Sequence, residues 1–378
     1  MKRPWSVFLV LLLILCIFPA WAEDLPTALD DAVDALDLTA LESAMCDNNL
    51  FAATGGVRET VRAVARGELT LSFEQVMGLL ANRFASAMTA SLWRLTRLAA
   101  PALLWAILAR LSGASHECGQ ILCGLMICVF LTQDLSEHLL LCTDAITRMS
   151  TGMQGLFPLL LTLMAVVGGT SGSALMQPAV VAAAGAMTGL IKHVTMPLAT
   201  AAAVLTMLTH LGSGVKVSRL SDLLYQAANW TLGICFTVFI GVLATRGVTA
   251  AAIDGVTIRT AKYAINNLVP VVGGMFADTV DALVGSGLLV ESALGVTGLV
   301  LILGIMAAPM CQTLAAAVMY KLAAALMQPV ADGALADCIA DFGKLLMLLF
   351  IIQLCSAAMF LMLIAQLIAV SGLTVMLR

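Results

Sequence analysis

The stretch LLVESALGVTGLVLILGIMAAPMCQTLAAAVMYKLAAALM, residues 288–327, carries Glu291 and Lys321 as its charged residues. A helix needs roughly 20 mostly apolar residues to cross the hydrocarbon core of a bilayer. The stretch is long enough for two crossings, and Pro309 divides it into 288–308 and 309–327. We therefore predict two transmembrane helices in this part of the chain.

Similar apolar runs, separated by short polar breaks, follow one another from about residue 95 onward. The further candidate segments are 98–112, 118–133, 156–171, 176–191, 194–211, 229–247 and 345–370. Residues 263–284 are less apolar, and an amphipathic, re-entrant or spanning helix there stays open. Gly and Pro interrupt several runs, which indicates a bundle packed against other protein. We predict an all-α, polytopic membrane domain over residues 93–378, with about 8–10 hydrophobic segments.

The composition agrees with a membrane protein. Hydrophobic residues make up 61% of the chain and charged residues 11%, whereas globular domains have roughly 45–50% and about 25%. Gly and Ala are abundant, and small residues let membrane helices approach closely. The net charge is −4 and there is no basic run, so we expect a lipid bilayer and no nucleic acid as the surroundings.

The first 92 residues are of a different kind. Lys2 and Arg3 precede the apolar run 7–18, and Ala20-Trp21-Ala22 resembles a cleavage site. Residues 1–22 therefore resemble a signal peptide, with an uncleaved anchor helix as the alternative. Residues 23–92 are predicted to form a small amphipathic helical region outside the cytoplasm, with a helix beginning near Ser72 at a capping-box pattern.

Catalytic, cofactor and metal sites are not predicted. Several of the ten cysteines lie in apolar runs, and the four histidines are scattered at positions 116, 138, 193 and 210. Cys118, Cys123 and Cys128 are five residues apart, unlike the ligand spacing of zinc sites. The glycine-rich run 168–174 lacks the GK[ST] ending of a phosphate-binding loop. We expect a protein without enzymatic activity that takes any ATP-driven work from another subunit.

The segment from Asp254 to Asp278 is the most polar part of the C-terminal half. If it is helical, Arg259, Lys262 and Asn266 share one face, which could meet lipid phosphates, a partner or a buried carboxylate; a solvated loop with an interfacial helix is the alternative. The candidate functional residues chosen in and after this segment are Asp254, Arg259, Lys262, Asn267, Pro270, Gly273, Gly274, Asp278, Glu291 and Lys321. Glu291 and Lys321 are included because ionisable residues at membrane depth are often functional, although both could reach the interface.

A weak internal repeat relates residues 144–211 to residues 254–327. Pro158 and Pro197 in the first unit are spaced like Pro270 and Pro309 in the second. Matching hydrophobic segments that are interrupted by Gly and Pro indicate a transport pathway at the repeat interface. Coincidence in a low-complexity apolar sequence is the alternative, and Pro158 joins the candidate residues.

Four stretches of the chain resemble the stage III sporulation protein AE family. They are DGVTIRTAKYAINNLVPVVGGM at 254–275 with Asp278, GVTGLV at 295–300, FPLLLTLMAVVGGTSGSALMQPA at 157–179 and GELTLSF at 67–73. The resemblance covers nearly the whole chain.

The resemblance implies a multi-pass protein of the mother-cell membrane that surrounds the forespore. It also implies a role in a secretion-like channel, or feeding tube, required for endospore development. The implied partners are the other stage III A operon membrane proteins, their ATPase and, indirectly, a forespore membrane protein. The alternatives are a stand-alone secondary transporter that uses Glu291 and Lys321, and a structural scaffold without a pathway.

Overall fold

The computed structural model describes residues 57–65, 73–108, 114–166, 182–211, 217–268, 273–329 and 333–376. For residues 245–268 and 273–291 it describes the backbone only. The predicted signal peptide and most of the region 23–92 lie outside the described residues. Within the described parts nearly every residue is helical and no strand occurs, which confirms the all-α prediction.

Seven α-helices are described with complete bounds. They are α1 (Val57–Ala65), α2 (Phe73–Leu108), α3 (Ala114–Val166), α4 (Met196–Leu211), α5 (Ser218–Leu268), α6 (Gly273–Met327) and α7 (Gly333–Met376). A π-helical turn, Ile191–Thr195, and the helical residues 182–190 precede α4 without a break, and we call the whole of 182–211 the α4 rod. The start of α2 at Phe73 agrees with the capping box predicted near Ser72.

Five stretches of these helices are long and apolar enough to cross a membrane. They are Ile121–Leu160, Ala182–Thr209, Ser218–Ala244, Ser292–Met327 and Leu335–Gln366. The chain is therefore a multi-pass membrane protein by length and composition. The prediction of 8–10 segments stays a prediction, although runs separated in the sequence lie in single helices here, since 288–308 and 309–327 both belong to α6.

Several helices continue through a proline. Pro101 lies inside α2, Pro158 inside α3 and Pro309 inside α6. Proline removes one backbone hydrogen bond from a helix, and packing against neighbouring helices can hold the rest together. Pro197 has a visible local effect, because the π-helical turn ends at Thr195, two residues before it. In a regular α-helix its ring would clash with the carbonyl of His193, four residues earlier. The wider π-helical turn relieves that clash.

The two C-terminal helices form the centre of the bundle. Within an 18-residue apolar window of each helix, 72% of the residues are buried in α7, 56% in α6 and 28% in α5. α6 packs along α7 and also contacts α1, α2 and α3, while α5 packs on the α4 rod and α7. α7 is therefore an inner helix, and α5 exposes most of its apolar stretch.

A buried ionic cluster as the candidate functional site

Asp134 on α3 is a carboxylate held inside the helical bundle. Its side chain is 10% exposed, and Oδ1 accepts a 2.7 Å hydrogen bond from Nη1 of Arg94 on α2. Its second oxygen, Oδ2, accepts a 2.8 Å hydrogen bond from the hydroxyl of Tyr320 on α6. A buried carboxylate is costly unless it is paired and hydrogen-bonded, and here both oxygens are satisfied. Asp134 thereby joins three helices.

Glu137 supplies a second carboxylate to the same guanidinium. Its Oε2 lies 2.8 Å from Nη1 of Arg94, and its side chain is 59% exposed. Partial burial lowers the pKa of Arg94, but the hydrogen bond and charge of Asp134 outweigh this, so the net pKa of Arg94 lies above its ordinary value. The guanidinium therefore stays charged at every physiological pH.

His138 completes the cluster and is almost fully buried, with 2% of the residue exposed. Its Nε2 lies 3.9 Å from Oδ2 of Asp134, beyond hydrogen-bonding distance. Neither ring nitrogen has a hydrogen-bond partner among the residues that the structure describes. A buried polar group without a partner costs about 1–3 kcal/mol. His138 is therefore a buried imidazole that lies beside the carboxylate without a hydrogen bond to it.

The local sequence explains why these side chains meet. Asp134, Glu137 and His138 are three and four residues apart on α3, so they lie on neighbouring turns of one helix side. Tyr320 is fixed from the opposite side, because its ring packs edge-on against Phe342 of α7 with centroids 4.7 Å apart. The phenol is thus aimed at Asp134 by a contact that extends the cluster to a fourth helix.

The chemistry available to this cluster is limited. It has a buried carboxylate, a buried imidazole, a phenol and a guanidinium. Among the described residues no group of three or more His, Cys, Asp or Glu side chains is placed to hold a metal ion. The arrangement can fix the relative positions of α2, α3, α6 and α7.

Replacing Tyr320 with phenylalanine tests the hydrogen-bond part of the cluster. The variant keeps the ring contact with Phe342 but removes the donor to Asp134, and hydrogen bonds to charged groups contribute about 1.5–3 kcal/mol. We expect the purified full chain to unfold at a lower temperature than the wild type. Tyr225→Phe on the half-buried part of α5 is the control. An equal effect of both substitutions would contradict a specific role for the Tyr320 hydroxyl.

A second polar feature lies at the π-helical turn. An open groove of about 710 Å³ runs between α3 and the α4 rod, with Lys192 among its lining residues. The other lining residues are Leu139, Thr143, Met196, Pro197, Thr200, Ala201, Val204 and Leu205. The π turn carries Lys192 and His193, and both fall near the middle of the apolar stretch Ala182–Thr209. The groove therefore has Lys192 and Thr200 on the α4 rod and Thr143 on α3, among otherwise apolar side chains.

The residues predicted from the sequence lie mostly elsewhere. Asp254, Arg259, Lys262 and Asn267 belong to the helical backbone of α5, and Gly273, Gly274, Asp278 and Glu291 to that of α6. Their side chains, like Pro270, lie outside the description, so their roles stay predictions. The helical backbone of α5 does meet the condition under which Arg259 and Lys262 share a face.

Two predicted residues are fully described. Lys321 is exposed on α6, and the stem of its side chain passes close to Gly343 of α7. Pro158 is exposed on α3. Neither belongs to the ionic cluster, although Lys321 directly follows Tyr320. The sequence did carry a signal for the cluster, because three ionisable residues at spacings of three and four interrupt a long apolar helix.

The chain is similar in sequence to a known protein family. The model of a protein family described as stage III sporulation protein AE matches residues 56–371. Stage III sporulation protein AE of Bacillus subtilis (strain 168) is 33% identical over 236 residues, which is 62% of this chain and 59% of the relative. The match thus spans under two thirds of that relative's length. No solved structure matches the chain.

Proposed function

The chain belongs to the stage III sporulation protein AE family, and from that membership we propose that it is a membrane subunit of a transenvelope, secretion-like channel between mother cell and forespore. In this proposal it resides in the mother-cell membrane around the forespore. Its partners are other stage III A operon membrane proteins and their ATPase, with a forespore membrane protein reached indirectly. The family match over residues 56–371 carries the proposal.

The dimensions of the helices support a subunit of a larger assembly. α3, α5 and α6 have 53, 51 and 55 residues, which correspond to about 75–85 Å at 1.5 Å per residue. The hydrocarbon core of a bilayer is only about 30 Å thick. Such helices extend well beyond the membrane, where they offer surface to partners on either side.

The ionic cluster supports a rigid role for the chain within that assembly. Asp134 holds α2 and α6 to α3. A bundle fixed in this way suits a subunit that has no catalytic role in the complex. Energy for transport would come from the ATPase partner. The extended α5 and α6 backbones carry the conspicuous 254–278 segment, which we assign to contacts with partners.

The proposal predicts that the protein functions only in a complex with other proteins. When the tagged full chain is isolated from sporulating cells, we expect it to co-purify with an ATPase and other membrane proteins of the same operon. A strain that lacks the chain should complete engulfment but form few heat-resistant spores, and a plasmid copy should restore them. Normal sporulation without the chain, or its isolation as a free protein after cross-linking, would contradict the proposal.

The alternative function is a stand-alone secondary transporter that uses Glu291 and Lys321. The exposure of Lys321 on α6 is the observation in its favour. In liposomes that contain only the purified chain, such a transporter would accumulate solute in response to a proton or sodium gradient. Loss of that accumulation in Glu291→Gln and Lys321→Gln variants would establish the transporter and displace the channel subunit.

A further inference from the structure

One face of α3 is polar over the thickness of a membrane. The exposed residues on this face, together with the half-exposed Arg148, are Thr132, Gln133, Ser136, Glu137, Leu140, Thr143, Asp144, Thr147, Thr151 and Gln154, and we call them the polar stripe. They recur every three or four residues, so they share one side of the helix. From residue 132 to residue 154 the helix rises about 33 Å. Leu140 is the exception in an otherwise hydrophilic set.

Contacts with neighbouring helices fix the depth of the polar stripe. Thr132 donates to Met207 of α4 at 3.3 Å, and Cys142 lies 3.9 Å from Met196. On α6, Tyr320 meets Asp134, while Gly298 packs against Leu156. These partners lie within the candidate spans Ala182–Thr209 and Ser292–Met327. The polar stripe is therefore level with the apolar stretches of the surrounding helices.

Lipid cannot be the natural neighbour of this face. The hydroxyls of Ser136, Thr143 and Thr147 donate to carbonyls of their own helix at 2.7–2.9 Å, so they alone would tolerate lipid. Asp144 and Arg148 pair with each other at 2.8 Å while their side chains are 59% and 41% exposed. Exposed charges at this depth are expected to face a water-filled cavity or protein.

The other faces of the bundle have the opposite character. On α5 the exposed side chains include Leu223, Trp230, Ile234 and Val238, which suit lipid. Between Val129 and Leu190, Leu140 is the single exposed large hydrophobic residue among those whose side chains are described. The change from apolar to polar surface therefore follows one helix and is not a general property of the molecule.

Two features beside the polar stripe point the same way. Pro158 is exposed at its end and has no N–H to donate to the carbonyl of Gln154. Such a backbone gap at membrane depth is tolerated where water or protein can reach it. Lys192 and Thr143 line the same groove between α3 and the α4 rod, so a cation lies beside the middle of the polar stripe.

We propose that the polar stripe, with Lys192 of the neighbouring π turn, lines a water-filled pathway for hydrophilic solutes across the membrane. The inference rests on the proposed function and deepens it, because it names the face through which a channel subunit would meet its cargo. The face is open on one side in a single chain, so neighbouring subunits complete the wall. In the assembled channel, water fills the space beside this face.

Cysteine accessibility in the full chain tests this assignment. Thr147→Cys and Thr151→Cys place thiols on the polar stripe, and Ile234→Cys places one on the apolar face of α5. Met187 lies 2.8 Å from Cys235 and Met196 lies 3.9 Å from Cys142, which sets Ile234 about level with Thr151. Membranes from sporulating cells are opened by freezing and thawing and treated with a charged methanethiosulfonate, and the wild-type chain supplies the background from its native cysteines.

We expect both stripe cysteines to react on the order of tenfold faster than Ile234→Cys, since the thiolate that reacts forms in water. Equal rates at the stripe and at Ile234, whether fast or slow, would overturn the pathway. Reaction in the chain expressed alone but not in assembled complexes would show a partner interface, which overturns the pathway and leaves the channel subunit intact. Fast reaction in a chain that captures no operon partners would instead refute the proposed function and retain the pathway.

Discussion

Replacement of Asp134 with leucine is expected to destabilise the folded protein by about 3 kcal/mol. Removal of one partner from a buried ion pair costs about 3–5 kcal/mol, because the remaining charge is left without compensation. The lower end of that range applies here, since the Arg94 side chain is 35% exposed and keeps Glu137 at 2.8 Å. The Tyr320 hydroxyl also loses its acceptor. The unfolding temperature of the detergent-purified full chain, followed by helical circular dichroism, should fall by several degrees.

Asp144→Leu is the matched control for this substitution. Asp144 also pairs with an arginine at 2.8 Å, but its partner lies four residues away and both side chains are largely exposed. Exposed pairs at this spacing contribute only about 0.3–0.5 kcal/mol. A loss of stability in Asp144→Leu as large as that in Asp134→Leu would contradict the special role of the buried pair.

The double variant Arg94→Leu with Asp134→Leu separates pairing from packing. Replacement of a whole buried ion pair by apolar residues is often neutral or stabilising, so the double variant should recover much of the stability lost in Asp134→Leu. If the double variant loses as much stability as Arg94→Leu and Asp134→Leu lose in sum, Arg94 and Asp134 act independently and the cluster is not a unit.

The sequence predicted the class of fold well, because the hydropathy of a whole run of residues indicates a membrane helix. An apolar run longer than about 20 residues usually forms a transmembrane helix. The capping box near Ser72 likewise predicted the start of α2 at Phe73. The lengths of the helices were harder to foresee. The runs 118–133 and 156–171 are separated by polar residues, yet residues 114–166 form one helix, because the polar residues between them occupy one face while the other face is buried.

The contacts that join the ionic cluster across helices were out of reach of local patterns for a different reason. Arg94 and Asp134 are 40 residues apart, and Asp134 and Tyr320 are 186 residues apart. In the sequence Arg94 reads as a charge near the start of the membrane domain, and His138 as one of four scattered histidines. Their meeting depends on the packing of α2, α3 and α6, which hydropathy and spacing do not encode. The polar segment 254–278 supplied most of the predicted residues instead.

Replacement of Gly343 with leucine is expected to weaken the central pair of helices. A Cβ atom at this position would lie 2.9 Å from Cγ of Lys321, 3.3 Å from its backbone nitrogen and 3.4 Å from the carbonyl oxygen of Ala317. A rotamer change can move the Lys321 side chain but not the two backbone atoms of α6, so the atoms of a leucine beyond Cβ have room only if the helices move apart. Overpacking typically costs about 1–3 kcal/mol, and a leucine at such a backbone contact should reach the upper part of that range.

Gly233→Leu on α5 provides the matched control for Gly343→Leu. Both glycines lie inside helices, where their replacement removes a conformational cost of about 1 kcal/mol, but a Cβ at Gly233 would have no neighbour within 4 Å. We therefore expect Gly233→Leu to keep or slightly raise the unfolding temperature of the purified chain, while Gly343→Leu lowers it and reduces the protein recovered from membranes.

Because α6 and α7 also carry Tyr320 and Phe342, separation of the two helices should loosen the hold on Asp134. Tyr320→Phe should then cost less in the Gly343→Leu background than in the wild type, and an undiminished cost would mean that the close approach of α6 and α7 at Gly343 does not support the ionic cluster.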